Sequence, residues 1–248
     1  MPNNLSLLGK VALVTGGSRS IGASIAKRLA KEGATVAITY GASSVKAAAV
    51  VWEIESLGGR ALAIEADAGN PNAVRAAVAL VAETFGPVDI LVNSAGIMHM
   101  APIESFAFED YQRMLAVNVT GAFVAAQEVS KMMIGGRIIN IGSVMAHHTA
   151  FANFSVYALT KGALQGFTHG LARDLGPKGI TVNTIMPGPT HTDLNPKDGP
   201  FAEVLNSRIA LGRYGEADEV ASIVAFLAGP GGAFITGTEI IADGGLSA

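Results

Sequence analysis

Tyr157 and Lys161 stand four positions apart in the run Tyr157-Ala158-Leu159-Thr160-Lys161. On a helix that spacing places both side chains on one face. A phenol with a pKa of about 10 is a poor proton donor or acceptor at neutral pH, and an ammonium within about 4–6 Å shifts it toward the phenolate. Taken alone, such a pair is more often a solvated surface pair. Ser143 adds to it: it ends the run Asn140-Ile141-Gly142-Ser143, 14 positions before Tyr157. Its hydroxyl can donate to an oxygen that gains charge, and one donor so aimed lowers a barrier by roughly 2.7–4 kcal/mol. Asn118, in Asn118-Val119-Thr120-Gly121, lies within a helical stretch. Asparagine is locally unfavourable there and needs a reason, of which a buried side chain bonding to backbone is the plainest. A phenol, a hydroxyl, an amide and an ammonium form a set for exchanging a proton with a carbonyl or alcohol oxygen.

Short apolar runs at 10–15, 34–39, 60–65, 88–93, 136–141, 180–185 and 239–242 read as strands. Several are nearly continuous in apolar residues, as parallel strands covered on both faces must be. Helical stretches fall between them at 19–32, 43–57, 71–85, 108–132, 155–175 and 217–228, many followed by glycine or proline as stop signals. This alternation predicts an α/β fold: a single-domain, Rossmann-type, doubly wound parallel sheet of about seven strands over residues 1–248, with helices on both faces. The irregular segment 186–199 is rich in Pro, Gly, Thr, Asn and Asp. Loops that long are usually functional, and a substrate lid around 188–210 is expected.

The first strand runs into Thr15-Gly16-Gly17-Ser18-Arg19-Ser20-Ile21-Gly22, which opens a helix. Glycines there allow a tight turn and bring backbone amides to a pyrophosphate at the positive helix end. A carboxylate at the end of the second strand would favour NAD, because it accepts from the ribose 2′-hydroxyl and repels a 2′-phosphate. The sequence instead reads Tyr40-Gly41-Ala42-Ser43-Ser44, without an acid, and has Arg19 and Lys46 nearby. That combination points to NADP; the alternative is that Tyr40-Gly41 is only a turn.

At this point the chain resembles the short-chain dehydrogenase/reductase family. Its glycine run is similar to the family's T-G-x-x-x-G-x-G, with Ser20 at the middle glycine, and Asn93-Ser94-Ala95-Gly96 resembles N-N-A-G, with Ser94 at the second Asn. Ser143, Tyr157, Lys161 and Asn118 resemble the catalytic positions. Pro187-Gly188-Pro189-Thr190, Leu211-Gly212-Arg213-Tyr214-Gly215 and Asp243-Gly244-Gly245 extend the likeness over nearly the whole chain. The resemblance implies reversible, NADP(H)-dependent reduction of a ketone to a secondary alcohol. Tyr157 would donate the proton and Ser143 bond the substrate oxygen. Lys161 would tune Tyr157 and hold the nicotinamide ribose, and Asn118 would relay protons through water. It also implies cofactor contacts from Gly16, Ser18, Arg19, Ser20, Ile21 and Gly22 at the pyrophosphate, and from Tyr40, Ser43 and Ser44 at the adenosine ribose. Asp67 and Ala68 would meet the adenine. Asn93, Ala95, Gly96, Tyr157 and Lys161 would follow along the cleft, with Pro187, Gly188, Thr190 and Thr192 beside the nicotinamide. Read without the family, Asp67 is a loop acid and Asn93 a strand-end turn residue.

Composition narrows the rest. The 248 residues contain no cysteine, which excludes a disulfide framework, a thiolate zinc site, an iron–sulfur cluster and a cysteine nucleophile. Seventeen Lys+Arg against 20 Asp+Glu give a net charge of −3 without a basic run, so no nucleic-acid partner is expected. Apolar stretches break well short of the roughly 20 residues a bilayer needs, and the start lacks a secretory pattern; no membrane partner and a cytoplasmic location are expected. His147-His148 has no supporting ligand cluster and reads as a polar pocket rim, not a metal site. Loops after the fourth, fifth and sixth strands carry Met98, His99, Met100, Met145, Phe151, Phe154, Leu194 and Phe201. An apolar, partly aromatic pocket for a hydrophobic or aryl ketone is expected. Reduction of a 3-oxoacyl group on acyl carrier protein is the alternative; that acidic partner would need a basic surface, for which Lys131, Arg137 and Arg173 are available. An alternative of another class is a dinucleotide-binding regulator without turnover. Charged residues make up 15%, against about 25% in an average domain, and 108–132 is apolar on most sides. The low charge fits equally a surface covered by another subunit and a simply alanine-rich chain; the apolar helix, together with the family resemblance, implies a homotetramer.

Overall fold

A computed structural model describes residues 5–248. Its strands are β1 (Val11–Thr15), β2 (Thr35–Tyr40), β3 (Ala61–Glu65), β4 (Ile90–Asn93), β5 (Arg137–Ile141), β6 (Thr181–Pro187) and β7 (Thr238–Ala242). All pair in parallel, in the order β3-β2-β1-β4-β5-β6-β7. Side chains alternate across the sheet as the pleat requires. Ala12 and Val14 of β1 enter one core with helices α1 (Ser20–Lys31), α2 (Ser44–Ser56) and α8 (Ala217–Ala228). Val11 and Leu13 enter the other, with α3 (Pro71–Phe85), α5 (Gly121–Ser130) and α6 (Ser155–Leu175). Burial on both faces explains why β1 is apolar almost throughout; β6 is equally buried but carries Thr181, Asn183 and Thr184.

Strand order reverses between β1 and β4, which end side by side at Thr15 and Asn93. In open α/β sheets the crevice beyond such a switch is where ligands bind. Two elements differ from the expectations. The stretch 108–132 is helical but irregular: α4 (Phe108–Leu115) passes without a break through a π turn, Ala116–Thr120, into α5. Only Met114 of α4 is buried, and Phe108 is largely exposed, so burial on most sides holds for α5 alone. Within 188–210 a short helix, α7 (Ala202–Arg208), forms, with Leu205 packed beside Ile209 and Tyr214. Among the described residues no helix is long and apolar enough to cross a membrane.

Candidate active site

The four chemical residues converge beyond the C-terminal ends of β4 and β5. Tyr157 and Lys161 occupy the first two turns of α6. Lys161 is buried; its Nζ donates to the Ile141 carbonyl at 2.9 Å and stands 5.8 Å from the centre of the Tyr157 ring. Tyr157 is half-buried, with Phe154 edge-on beside it. Ser143 follows β5 directly, and its hydroxyl accepts from the Met145 amide and faces the phenol. Asn118 sits in the π turn, a feature that often marks functional sites in helices. Its Oδ1 accepts from the Ile97 amide at 2.8 Å, while Nδ2 donates to the Ile97 carbonyl at 2.9 Å and to Thr160 Oγ1 at 3.0 Å. A Cβ added at Gly96 would stand 3.3 Å from Lys161 Nζ and 3.6 Å from Asn118 Oδ1, so the Asn93–Gly96 turn borders both.

The expected tuning of the phenol by Lys161 works against burial. Burial pushes the Tyr157 pKa up, and the Ser143 hydrogen bond offsets this only in part. Burial also pulls the Lys161 ammonium down to about 8. The cation is directed to a carbonyl oxygen and not to the phenol oxygen. The result is a protonated phenol at neutral pH. The Asn118 amide bonds to backbone, the plainest reason expected for it, and is engaged in fixing Ile97 and Thr160.

At the nucleotide end, Gly16 has φ +66°, and a Cβ there would lie 2.8 Å from Ala95 Cα. A Cβ at Gly22 would collide with the Gly16 carbonyl oxygen. Only glycine fits either place. Two threonines fix the crevice: Thr39 accepts from the Gly16 amide through its hydroxyl and from Gly17 through its carbonyl, and Thr15 Oγ1 accepts from Ser94 and Ala95. The first bond of α1 runs from Ala23 N to Arg19 O. The amides of Ser20, Ile21 and Gly22 therefore have no acceptor among the described residues and form an anion-ready helix start. Ser18 is buried beneath them and Arg19 exposed at the rim. Ser20 is strained, with φ +49°, which explains the family's glycine at this position. Tyr40 ends β2, and Ser43 and Ser44 open α2, whose first turn also carries Lys46.

Other expected contacts already have partners. Asp67 forms a two-bond ion pair with Arg113 of α4, both bonds 2.9 Å, and accepts from Gly69; the arginine holds its carboxyl below the usual range. Ala68, next in the chain, lies with its carbonyl against Gly121. Asn93 turns inward and donates to Asn140 Oδ1, and Asn140 continues through Thr168 to Thr184. That buried chain, with Thr15, Thr39 and Thr160, was not foreseen. Its signal is a polar residue closing or interrupting an apolar strand. Pro187 and Gly188 bond along β7, Thr190 Oγ1 bonds to Gly188 O, and Thr192 closes a turn with Asn195.

Around the mouth, Phe151 packs on the α7 cluster beneath Arg208, while Met100, Leu194 and Phe201 are exposed. Met145 and Phe154 are half-buried and Met98 likewise; His99, His147 and His148 are exposed. No group of three metal-ligating side chains occurs among the described residues. Lys131, Arg137 and Arg173 lie away from the mouth: Arg137 begins β5, Lys131 follows α5, and Arg173 is in the last turn of α6, all toward the N-terminal ends of the strands. They cannot supply the basic rim considered for a carrier protein.

A family model described as enoyl-(acyl carrier protein) reductase matches residues 16–247. A solved short-chain dehydrogenase from Burkholderia cenocepacia, in complex with NADP, is 53% identical, covers 98% of this chain and 100% of its own, and superposes with a TM-score of 0.96. The chain belongs to the short-chain dehydrogenase/reductase family. Within that family, the cyclic-di-GMP-binding biofilm dispersal mediator protein of Escherichia coli is 40% identical over 241 residues, 97% of this chain and 98% of its own. The 3-oxoacyl-[acyl-carrier-protein] reductase of Synechocystis is 40% identical over 247 residues, with the same two coverages. The family's doubly wound sheet is the fold found here, and its oxidoreductase chemistry is the frame for the residues described above.

Proposed function

We propose that this oxidoreductase reduces a ketone to a secondary alcohol with NADPH, reversibly, and that Tyr157 is the proton donor. The observation that carries the reading is the Tyr157 phenol, facing Ser143 and one helical turn from Lys161 beside the glycine-rich crevice. NADP(H) fits that crevice by its residues: open amides at the start of α1, Arg19 and Lys46 at the ribose side, and no carboxylate at the end of β2. The pyrophosphate would meet Ser18 to Gly22, the ribose phosphate Arg19, Ser43 and Ser44, and the adenine the Asp67–Ala68 turn. The Asn93–Gly96 turn and Pro187 to Thr192 would border the nicotinamide. When bound, the coenzyme supplies a hydride to the carbonyl carbon.

The chain's own groups do the remainder. Ser143 donates to the substrate oxygen as charge develops on it, and Tyr157 delivers its proton to the same oxygen. Lys161 places positive charge beneath the cleft. Asn118 acts as a positioning residue, because it holds Ile97 by two bonds and so sets the loop after β4. Phe151, Phe154, Met145 and the 188–210 lid support an apolar or aromatic ketone. Loss of NADPH absorbance at 340 nm across a panel of aryl ketones, sugars and 3-oxoacyl thioesters tests this. Aryl ketones should turn over fastest, and preference for sugars would overturn the pocket.

The likeness to the Synechocystis enzyme favours a second reading, 3-oxoacyl-carrier reduction. It predicts thioester turnover at least tenfold above any ketone. NADPH binding with no turnover in any arm would instead favour a regulator, the class suggested by the Escherichia coli relative's name. A homotetramer also goes with this reading. Phe123 and Leu159 are exposed beside a stripe of Gly162, Gly166 and Gly170, and Phe234 and Ile241 are exposed near the free edge of β7. A monomeric mass at micromolar concentration would contradict it. One domain with a lid at 188–210, in the cytoplasm where NADPH is regenerated, completes the proposal.

A further inference from the structure

The segment after β6 is tied down on one side and reaches across the cleft on the other. Its base is fixed to the Gly215 region, by His191 N to Gly215 O at 2.8 Å and Gly215 N to Pro189 O at 2.9 Å. Lys197 pairs with Glu216, and Asn195 accepts from the Tyr214 hydroxyl. From that base Asp193 extends to the nucleotide end. Its amide donates to Ser20 Oγ at 3.2 Å, and its carboxylate meets Lys46 Nζ at 2.5 Å. The Asp193 carboxyl is held below its ordinary range by Lys46 first, with Arg19 contributing through space.

Lys46 and Arg19 are the cations on the ribose side of the crevice, where β2 ends without an acid. A carboxylate from the lid therefore stands on the charges that a ribose 2′-phosphate would need. Both partners are about half exposed, so the pair is readily exchanged. A phosphate dianion carries more charge and more acceptor oxygens than a carboxylate, and it outcompetes one for the same cations.

We propose that Asp193 is a built-in occupant of the coenzyme's 2′-phosphate site, a latch that NADP(H) displaces and NAD(H) does not. The inference rests on the NADP(H) reading above. It makes lid release part of coenzyme discrimination. The 2′-phosphate takes Lys46 from Asp193, the Ser20–Asp193 bond is lost with it, and the 190–195 turn swings free of the glycine loop. The latch lowers apparent affinity by the fraction of molecules in which it is open. For an exposed ion pair that is a factor of about three to five.

Calorimetric titration of the full chain with NADPH, NADH, 2′,5′-ADP and 5′-AMP tests it, together with hydrogen exchange at the amides of 190–195. Asp193→Asn should tighten NADPH and 2′,5′-ADP about three- to fivefold and change NADH and 5′-AMP less than twofold. In a Lys46→Gln background the same substitution should give less than a twofold gain. In the unsubstituted protein, 2′,5′-ADP should speed exchange at 190–195 and 5′-AMP should not. Weaker or unchanged NADPH binding in Asp193→Asn, or an equal gain for NADH, overturns the latch while leaving the NADP(H) reading intact. A chain that binds neither NADPH nor 2′,5′-ADP overturns both.

Discussion

The two ends of the cleft are built by opposite means. At the chemical end, side chains are buried and bound to fixed partners: Lys161 to the Ile141 carbonyl, Asn118 to Ile97 and Thr160, Asn140 to Thr168. At the nucleotide end, the charged groups are exposed and held in ion pairs, Asp67 with Arg113 and Lys46 with Asp193. Buried polar bonds are costly to break, because the abandoned partner keeps its desolvation penalty, whereas exposed pairs contribute about 1 kcal/mol or less. The chemical end is therefore pre-organised, and the nucleotide end is exchangeable. Substitutions at the first should be severe and specific, and those at the second mild.

Tyr157→Phe gives the largest expected effect. It removes one oxygen and leaves the ring beside Phe154, so kcat should fall by about 10²–10⁴, the usual contribution of general acid catalysis. Affinity for NADPH, measured by fluorescence titration, should stay within threefold. If turnover persists near the parent's rate, the proton comes from elsewhere and the chemical end is not what separates the two halves.

Asn140→Leu comes next. It takes the Oδ1 acceptor from the buried Asn93 amide and the donor from Thr168 Oγ1, which keeps its bond to Thr184, at a cost of about 2–4 kcal/mol in urea unfolding. A change under 1 kcal/mol would mean that this end is not rigidly prebuilt.

The pH response is gentler and separates the two groups of the helix. Lys161 titrates at about 8 in the folded protein, lowered by burial. Below that value Nζ is charged, and above it the charge is lost. The rate kcat/KM for ketone reduction should be flat through neutral pH and fall above about 8. The opposite direction, oxidation of the alcohol, needs a deprotonated phenol. Since the Tyr157 pKa is raised, oxidation should still be climbing where reduction declines. Profiles in both directions check this, and a reduction rate that climbs past pH 9 would contradict it.

How much of this could be read in advance follows the same division. The seven strands, the glycine loop and the helix carrying Tyr157 and Lys161 are set by periodicity and local spacing, which sequence displays directly. Asn118 was visible as a misfit in a helix, but the π turn that aims it depends on packing of Ile97 and Thr160 from distant segments. The charge of Lys161 is legible in sequence, while the burial that acts against its effect on Tyr157 is not. The partners of Asp67 and Asp193 lie 46 and 147 positions away, and no local pattern announces them. The same holds for Lys131, Arg137 and Arg173, whose charges are plain but whose place at the strand starts, opposite the mouth, is a property of the fold.

Ser20→Gly has the smallest expected effect and sharpens the comparison most. A non-glycine residue at φ +49° costs roughly 1–2 kcal/mol against one in an ordinary conformation. Glycine removes that strain and adds back about 0.5–1 kcal/mol of unfolded-chain entropy. The lost contact is one hydrogen bond from the exposed Asp193 amide to Ser20 Oγ. The balance should be a gain of about 0.5 kcal/mol, read as a higher urea midpoint at unchanged slope. A loss in the same measurement would mean that the Ser20–Asp193 bond holds more than the strain costs. The glycine loop and the lid would then be firmly joined without coenzyme, and the nucleotide end would be as fixed as the chemical one.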